Sequence, residues 1–336
     1  MPLKMQDIAN LAGVSKATVS KVCNNSPEIS DETVAHVRRI MEEHNFQPQT
    51  RQKRKVSSST RNIAFIIDIP SRYLFGNPFL CECLVGVGEV LSSHGYSISF
   101  YLQKDIDYAE LYKKKAIVGA LFMVPAYYNP YIKMLYDAGC PLVSIGEHYM
   151  KDSIRYIDSD DATGVYSCVQ YLYDLNHRRI AFLGGNPGVG SGINRLAGYR
   201  RALEDLGIPF DESIVLRSTY NLQDDGEIMM DKLLDREDTP TAIICFNDMV
   251  AAGALRAIKR HGFRVPEDFS IIGFDDQSIC ELLEPRLTSV HNIATRKGRD
   301  AAQWLIDAIE NSPDKTASKS ILLPTNLVIR DSTKRR

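Results

Sequence analysis

No apolar run in this 336-residue chain approaches the roughly 20 residues that a membrane-spanning helix needs. Its first residues also lack the apolar core of a secretory signal. Both absences point to a cytoplasmic protein with no membrane partner. The seven cysteines are odd in number and scattered, which excludes a disulfide framework. Cys81 and Cys83 are close in sequence, but no second pair and no nearby histidine completes a metal site. The thiols therefore read as reduced and mostly buried, and neither a metal nor a cofactor is expected. No Ser/His/Asp set and no glutamate pair stands at a spacing that recommends catalysis. The glycine-rich stretch Gly184-Gly185-Asn186-Pro187-Gly188-Val189-Gly190-Ser191-Gly192 follows an apolar strand and opens a helix. It lacks the Gly-Lys-Ser/Thr that neutralises nucleotide phosphates, and its glycine spacing misses the dinucleotide fingerprint. A non-enzymatic role follows, with a nucleotide-binding enzyme as the weaker alternative.

What is present begins with charge. The overall charge is only −2, but residues 1–62 carry a net +4 and the remainder −6. A basic N-terminal module on a mildly acidic body suits a nucleic-acid reader joined to a second function. Within that module, residues 4–22 read as a helix, a turn at Gly13 and a second helix. Ile8, Leu11 and Ala12 are expected on the inner face of the first helix, opposite Val14, Val19 and Val22. Lys16, Ala17, Thr18, Ser20 and Lys21 then point outward, as short hydroxyls and cations that can bond phosphates and base edges. Ser30 reads as the N-cap of a third helix running to about His44, with Val34, Val37, Ile40 and Met41 as its apolar face. Arg51, Lys53, Arg54 and Lys55 follow in a polar linker, next to the module where they can reach phosphates or the minor groove.

From residue 62 onward, apolar strands alternate with helix-length segments. The strands begin at Ile63, Tyr96, Ala120, Leu142, Ile180, Ala242 and Ser270, and Leu327-Val328-Ile329 is the last. Near-continuous apolar strands between helices imply parallel sheets covered on both faces. So long a stretch predicts two doubly wound lobes with their strand ends facing a shared cleft. The expected class is α/β: a helix-turn-helix headpiece over 1–47, a linker over 48–61, and a two-lobed body over 62–336.

The run Asp7-Ile8-Ala9-x-x-Ala12-Gly13-Val14-Ser15-x-Ala17-Thr18-Val19-Ser20-x-Val22 closely resembles the headpiece of the LacI/GalR family of bacterial repressors. The likeness continues through His177-Arg178-Arg179-Ile180, Arg195-Leu196-Ala197-Gly198-Tyr199, Phe246-Asn247-Asp248, Gly273-Phe274-Asp275-Asp276 and Pro285-x-Leu287-Thr288-Ser289-Val290. It implies a body like a sugar-binding periplasmic protein, with chain crossings near 157–163, 287–293 and 324–328. It implies a homodimeric repressor on a pseudo-palindromic operator, controlled by a small molecule. That effector is expected to be a sugar, sugar phosphate or glycoside, with a nucleobase as a further option. A solute-binding protein without a regulatory role is the other alternative.

Arg195 is expected to begin the helix just after the glycine loop and Asp275 to end a strand, which puts both on the cleft edge, and the family residues that match them contact the effector. The alternative is that they pair only with each other. Asn247 and Asp160 match further cleft positions, although Asp160 reads equally well as a helix N-cap. Tyr73 or Phe75 could stack on a sugar ring from the first lobe, and Tyr220 could do so from the second. The family's hinge places a leucine in the DNA minor groove where this chain has Lys55. A hinge that binds by charge with little kinking is expected instead. After the last strand come only the polar residues 331–336, so a dimer is expected rather than a tetramer held by a leucine heptad.

Overall fold

The computed structural model describes residues 5–23, 29–44, 46, 61–67, 75–102, 106–151, 153–311 and 320–336. The chain divides into two compact units, Met1–Ser59 and Thr60–Arg336. The stretch expected to be a linker lies almost wholly outside the described residues.

Among the described residues, the first unit is three helices: α1 (Met5–Leu11), α2 (Lys16–Cys23) and α3 (Asp31–Glu43). Ile8, Ala9, Ala12, Val19, Val22 and Val37 form its buried core, with Val14, Val34, Ile40 and Met41 packed around it. Leu11 departs from expectation and is 48% exposed. At 100° per residue, Ile8, Ala9 and Ala12 define the inward face, and Leu11 falls about 110° from its centre. Gly13 has φ +63° with nothing near a hypothetical Cβ, so the turn needs glycine for its left-handed backbone and not for space. Ser15 caps α2, its Oγ accepting from Thr18 N at 3.0 Å.

The second unit holds two six-stranded sheets with the same strand order. The first sheet runs β11-β5-β4-β3-β1-β2 and the second β12-β10-β9-β8-β6-β7. In the first, β1 (Asn62–Ile67), β2 (Ser97–Tyr101), β3 (Gly119–Met123), β4 (Leu142–Ile145), β5 (Tyr156–Ser159) and β11 (Ile321–Leu323) are all parallel. In the second, β6 (Ile180–Gly184), β7 (Val215–Arg217), β8 (Ala242–Cys245), β9 (Ser270–Asp275) and β10 (Thr288–His291) are parallel. Only β12 (Asn326–Val328) runs antiparallel, at the edge.

Side-chain alternation along each strand feeds a core on each face. Ile63, Phe65 and Leu121 pack under α4 (Pro78–Ser93) and α12 (Ala294–Glu310). Ala64, Ile66 and Phe122 pack under α5 (Tyr108–Lys113) and α6 (Pro130–Asp137). In the second lobe, Ala181, Ile243 and Ile271 lie under α9 (Gln223–Leu234) and α10 (Asp248–Arg260), and the short α11 (Ile279–Leu282) adds Cys280 to the same core. Phe182, Ile244 and Phe274 lie under α7 (Asp161–Asp174) and α8 (Gly190–Asp205). Glycines let the paired helices touch backbone to backbone. A Cβ on Gly298 would lie 2.0 Å from Cys83 O, and one on Gly253 1.9 Å from Gln223 O.

The chain crosses between lobes after β5, after β10, and between β11 and β12, within the ranges the sequence suggested. The crossings are tied together: Thr325 Oγ1 donates to Asp160 O at 3.1 Å, and Ser159 Oγ donates to Asn292 Oδ1 at 2.7 Å. No helix among the described residues is long and apolar enough to cross a membrane.

Candidate functional sites: a helix face and an interlobe cleft

On α2, Val19 and Val22 are buried while Lys16, Ala17 and Lys21 are exposed, as their spacing demands. Thr18 is half-buried, and its hydroxyl lies 2.9 Å from Ser15 Oγ, so it belongs to the cap before it belongs to a ligand. The Ser20 side chain and all of Arg51, Lys53, Arg54 and Lys55 lie outside the described residues.

The cleft forms where the strand order of each sheet reverses, between β1 and β3 and between β6 and β8. There the carboxyl ends of parallel strands leave a crevice. From the first lobe come Phe79, Leu80, Val124, Pro125, Ile145, Glu147, Asp158 and Lys297. From the second come Asp161, Asn186, Arg195, Tyr220, Asn247 and Asp275. The lobes also touch directly beside the cleft. Tyr127 N donates to Gly188 O at 2.7 Å, and Asn194 Nδ2 donates to Glu147 Oε2 at 2.7 Å.

Arg195 is the centre of the second lobe's wall. Its Nε donates to Asp161 Oδ2 at 2.9 Å, Nη2 lies 3.5 Å from Asp275 Oδ1, and Nη1 donates to Phe246 O. Its guanidinium carbon lies 3.6 Å from the Phe274 ring centre and 4.4 Å from that of Phe246. All three charged side chains are buried. Burial works against the charge on Arg195, but Asp161 and Asp275 outweigh it and hold its pKa above the usual value. Burial pushes the Asp275 carboxyl up to about 6 against the pull of Arg195 and of Asn292, whose Nδ2 donates to Oδ1 at 3.0 Å. Burial likewise raises Asp161, with Arg195 opposing. The second oxygen of Asp161, Oδ1, is buried and has no hydrogen-bond partner among the described residues. Asp275 also has φ +105°, a backbone state that non-glycine residues rarely adopt and that is typical of functional positions. The cluster reaches the crossings, because Asn292 bonds both Asp275 and Ser159.

The first lobe's ion pair is different. Lys297 Nζ donates to Asp158 Oδ1 at 3.0 Å, and Asp158 also accepts from Ser159 N and Glu147 N. Lys297 lies 5.1 Å from the Phe79 ring centre.

Several expectations are corrected here. Arg195 and Asp275 do not pair only with each other, since Asp161 is the nearer partner. Arg195 sits in the second turn of α8 and does not begin it, because Gly190, Ser191 and Gly192 are already helical. Of the two readings of Asp160 the N-cap is the one seen, its Oδ1 accepting from Thr163 N at 3.1 Å, while its neighbour Asp161 lines the cleft. Phe75 is 64% exposed and outside the cleft wall. Asn77 and Pro78 start α4 just beyond it, which turns Phe79 and Leu80 inward instead. Tyr73 lies outside the described residues. Tyr220 lines the cleft and is 40% exposed. Asn247 lines it too, but its side chain caps α10 and donates to Asn221 O at 3.0 Å.

Asp158, Asp161, Glu147 and Lys297 were not singled out from sequence. For two of them a signal existed. One carboxylate of the Asp160-Asp161 pair must cap the helix, which leaves the other for the cleft. Lys297 falls on the buried stripe Ala294, Lys297, Gly298, Ala301 of α12, where an unpaired lysine is not tolerated.

Residues 4–49 match the model of bacterial regulatory proteins of the lacI family, and residues 169–333 match a periplasmic-binding-protein-like domain. The chain is 32% identical to the HTH-type transcriptional regulator CelR of Thermobifida fusca, over 98% of this chain and 97% of that one. It is 30% identical to the HTH-type transcriptional repressor PurR of Vibrio atlanticus, covering 98% of each. A solved transcriptional regulator CelR–cellobiose complex superposes with a TM-score of 0.75 at 31% identity, covering 98% of this chain and 99% of that one. The chain belongs to the LacI family. It is a transcriptional regulator, a non-enzymatic role, with a DNA-binding headpiece and a two-lobed body.

Proposed function

We propose that this regulator represses transcription as a homodimer. Two headpieces read a pseudo-palindromic operator, and a carbohydrate in the interlobe cleft controls them. The observation that carries the DNA-reading part is the face of α2, where Lys16, Ala17 and Lys21 are exposed while Val19 and Val22 hold the helix to its core. Lysines at these positions suit base edges in the major groove. The basic residues Arg51, Lys53, Arg54 and Lys55 add phosphate or minor-groove contacts. Lys55 stands where relatives wedge a leucine, so the hinge binds by charge with little kinking of the duplex. Each such contact adds a slope of about −0.9 to log K against log salt.

The cleft supports the effector part. It combines an apolar wall, a buried guanidinium and an unpartnered carboxylate oxygen, the mixture that small-molecule sites use. A structural relative holds cellobiose. Ligand contacts at Asp275 act on Asn292 and Ser159 at the crossings. A ligand that binds one lobe arrangement better than another thereby shifts the population of DNA-competent molecules.

Electrophoretic mobility shift with DNA upstream of the protein's own gene tests the reading. Lys16→Ala and Lys21→Ala are each expected to cost about 1–3 kcal/mol of specific binding. Unchanged operator preference in both variants would contradict it.

A further inference from the structure

The ionisable groups of the cleft wall are unbalanced. Among the described residues, Glu147, Asp158, Asp161 and Asp275 line the wall with only Arg195 and Lys297 as cations, and Lys151 outside the wall pairs with Glu147 at 2.8 Å. Both cations are already engaged, Lys297 by Asp158 at 3.0 Å and Arg195 by Asp161 at 2.9 Å and Asp275 at 3.5 Å. Neither is left to neutralise a charge brought by a ligand. The N-terminus of α8 has no side-chain cap and is where an anion would settle. Glu147 already packs there, its backbone against Gly190 and its carboxylate bonded to Asn194.

Asp161 supplies the independent observation. Its Oδ2 is satisfied by Arg195, while Oδ1 is buried on a residue that lines the cleft and has no partner among the described residues. A buried carboxylate oxygen left unpaired is costly, and a hydroxyl or amine from a ligand removes that cost. A phosphate or carboxylate offers it no proton and adds like charge in a desolvated space. Burial already drives Asp161 and Asp275 above the usual carboxylate range, and a further anion would push in the same direction.

We propose that this cleft takes a carbohydrate without negative charge, uncharged or amine-bearing, which donates a hydrogen bond to Asp161 Oδ1, and that it rejects phosphorylated and acidic sugars. This rests on the reading of the cleft as a carbohydrate effector site and narrows its ligand class.

The test uses the full-length protein and matched sets built on glucose, galactose, mannose, ribose and cellobiose. Each sugar is presented as the neutral parent and, where such derivatives exist, as its amine, phosphate and acid. Thermal unfolding screens the set and calorimetry measures the hits. At least one neutral or amine member is expected to raise Tm by about 2 °C or more. Its phosphate or acid counterpart is expected to bind at least about 100-fold more weakly. For the sugar that binds, Asp161→Asn, which can turn an amide donor toward the ligand, is expected to lower affinity about 10-fold or more. Should that variant fail to fold, the neutral-to-anion ratio on the wild-type protein decides. A phosphorylated or acidic sugar binding as tightly as its parent overturns the proposal, and so does a panel in which no neutral or amine sugar binds. Operator binding is measured without ligand, so either result leaves the regulator reading to stand or fall separately.

Discussion

The cleft wall of the first lobe presents Phe79, Leu80, Val124, Pro125 and Ile145 beside Glu147, Asp158 and Lys297, and that of the second Asn186, Arg195, Tyr220, Asn247 and Asp275 beside Val189 and Phe246. The two sheets that present them have the same strand order, so the difference owes nothing to topology. Both lobes also bury charge, but in different ways. In the first lobe, Asp158 receives Lys297 and two backbone amides and makes a closed arrangement. In the second, Arg195 holds two carboxylates and Asp161 keeps an unused acceptor. A satisfied buried ion pair is architecture; an unsatisfied one beside a cleft is a site. A ligand with an apolar face and a hydroxyl-bearing edge, such as a sugar ring, would meet a matching surface on each side.

The largest expected effect breaks that contrast at its centre. Arg195→Ala leaves Asp161 and Asp275 buried without their cation, and a loss of about 3–5 kcal/mol in stability is expected. Lys297→Met removes one partner from Asp158 and spares its two amide bonds, so a smaller loss of about 1–3 kcal/mol is expected. Urea unfolding of both variants compares them directly. Equal losses would mean that the two clusters do the same structural job.

A smaller effect sharpens the contrast through pH. The second lobe also buries Asp248, whose oxygens accept from Ser289 Oγ at 2.5 Å and Gln277 N at 2.7 Å. Burial first, and then Asp275, push its carboxyl up to about 7. Because the folded pKa lies above the ordinary value near 4, the folded state holds a proton that the unfolded chain has lost. Its contribution to stability is therefore full below about pH 4 and is lost as pH rises through about 7. Asp275, at about 6, acts in the same direction. His148 runs the other way: burial lowers it to about 4, so its contribution is lost as pH falls from about 6.5 to about 4. The difference in stability between wild type and Asp248→Asn cancels the His148 contribution and leaves that of Asp248 together with its coupling to Asp275. Wild type is expected to lose ground to the variant between about pH 4 and 7 and to hold a constant offset above about pH 8. A difference that does not change with pH would show that Asp248 stays ionised in the fold.

How much of this was legible in the sequence depends on how local each determinant is. The headpiece could be read residue by residue, since its helices and Gly13 turn are set by neighbours in the chain. Leu11 escaped because apolar character outweighed its angular position on a short helix. The long apolar strands of the body were equally plain. The strands β5, β7, β10 and β11 were not read as strands; Tyr156-Ile157-Asp158-Ser159 and Thr288-Ser289-Val290-His291 carry polar groups at the crossings, and Val215-Leu216-Arg217 ends on a charge. The cleft was legible where strand ends announce it, at Arg195, Asn247 and Asp275. It was left open or missed where a small shift in register decides direction. Asp160 and Asp161 differ only in which one caps α7, and Phe75 and Phe79 lie on either side of the Asn77-Pro78 start of α4. The Lys297–Asp158 pair spans 139 positions in sequence, and only the packing of α12 on the sheet brings its members together.

Coupling between the cleft and the DNA surface is tested most directly by operator affinity measured with and without a saturating cleft-bound sugar, in wild type and in Asp275→Asn. Wild type is expected to change its affinity by about 5–150-fold. Asp275→Asn is expected to match wild-type DNA affinity without sugar and not to respond to it. Equal wild-type affinity in the two conditions, with calorimetry showing the cleft occupied, would contradict control of DNA binding by this cleft.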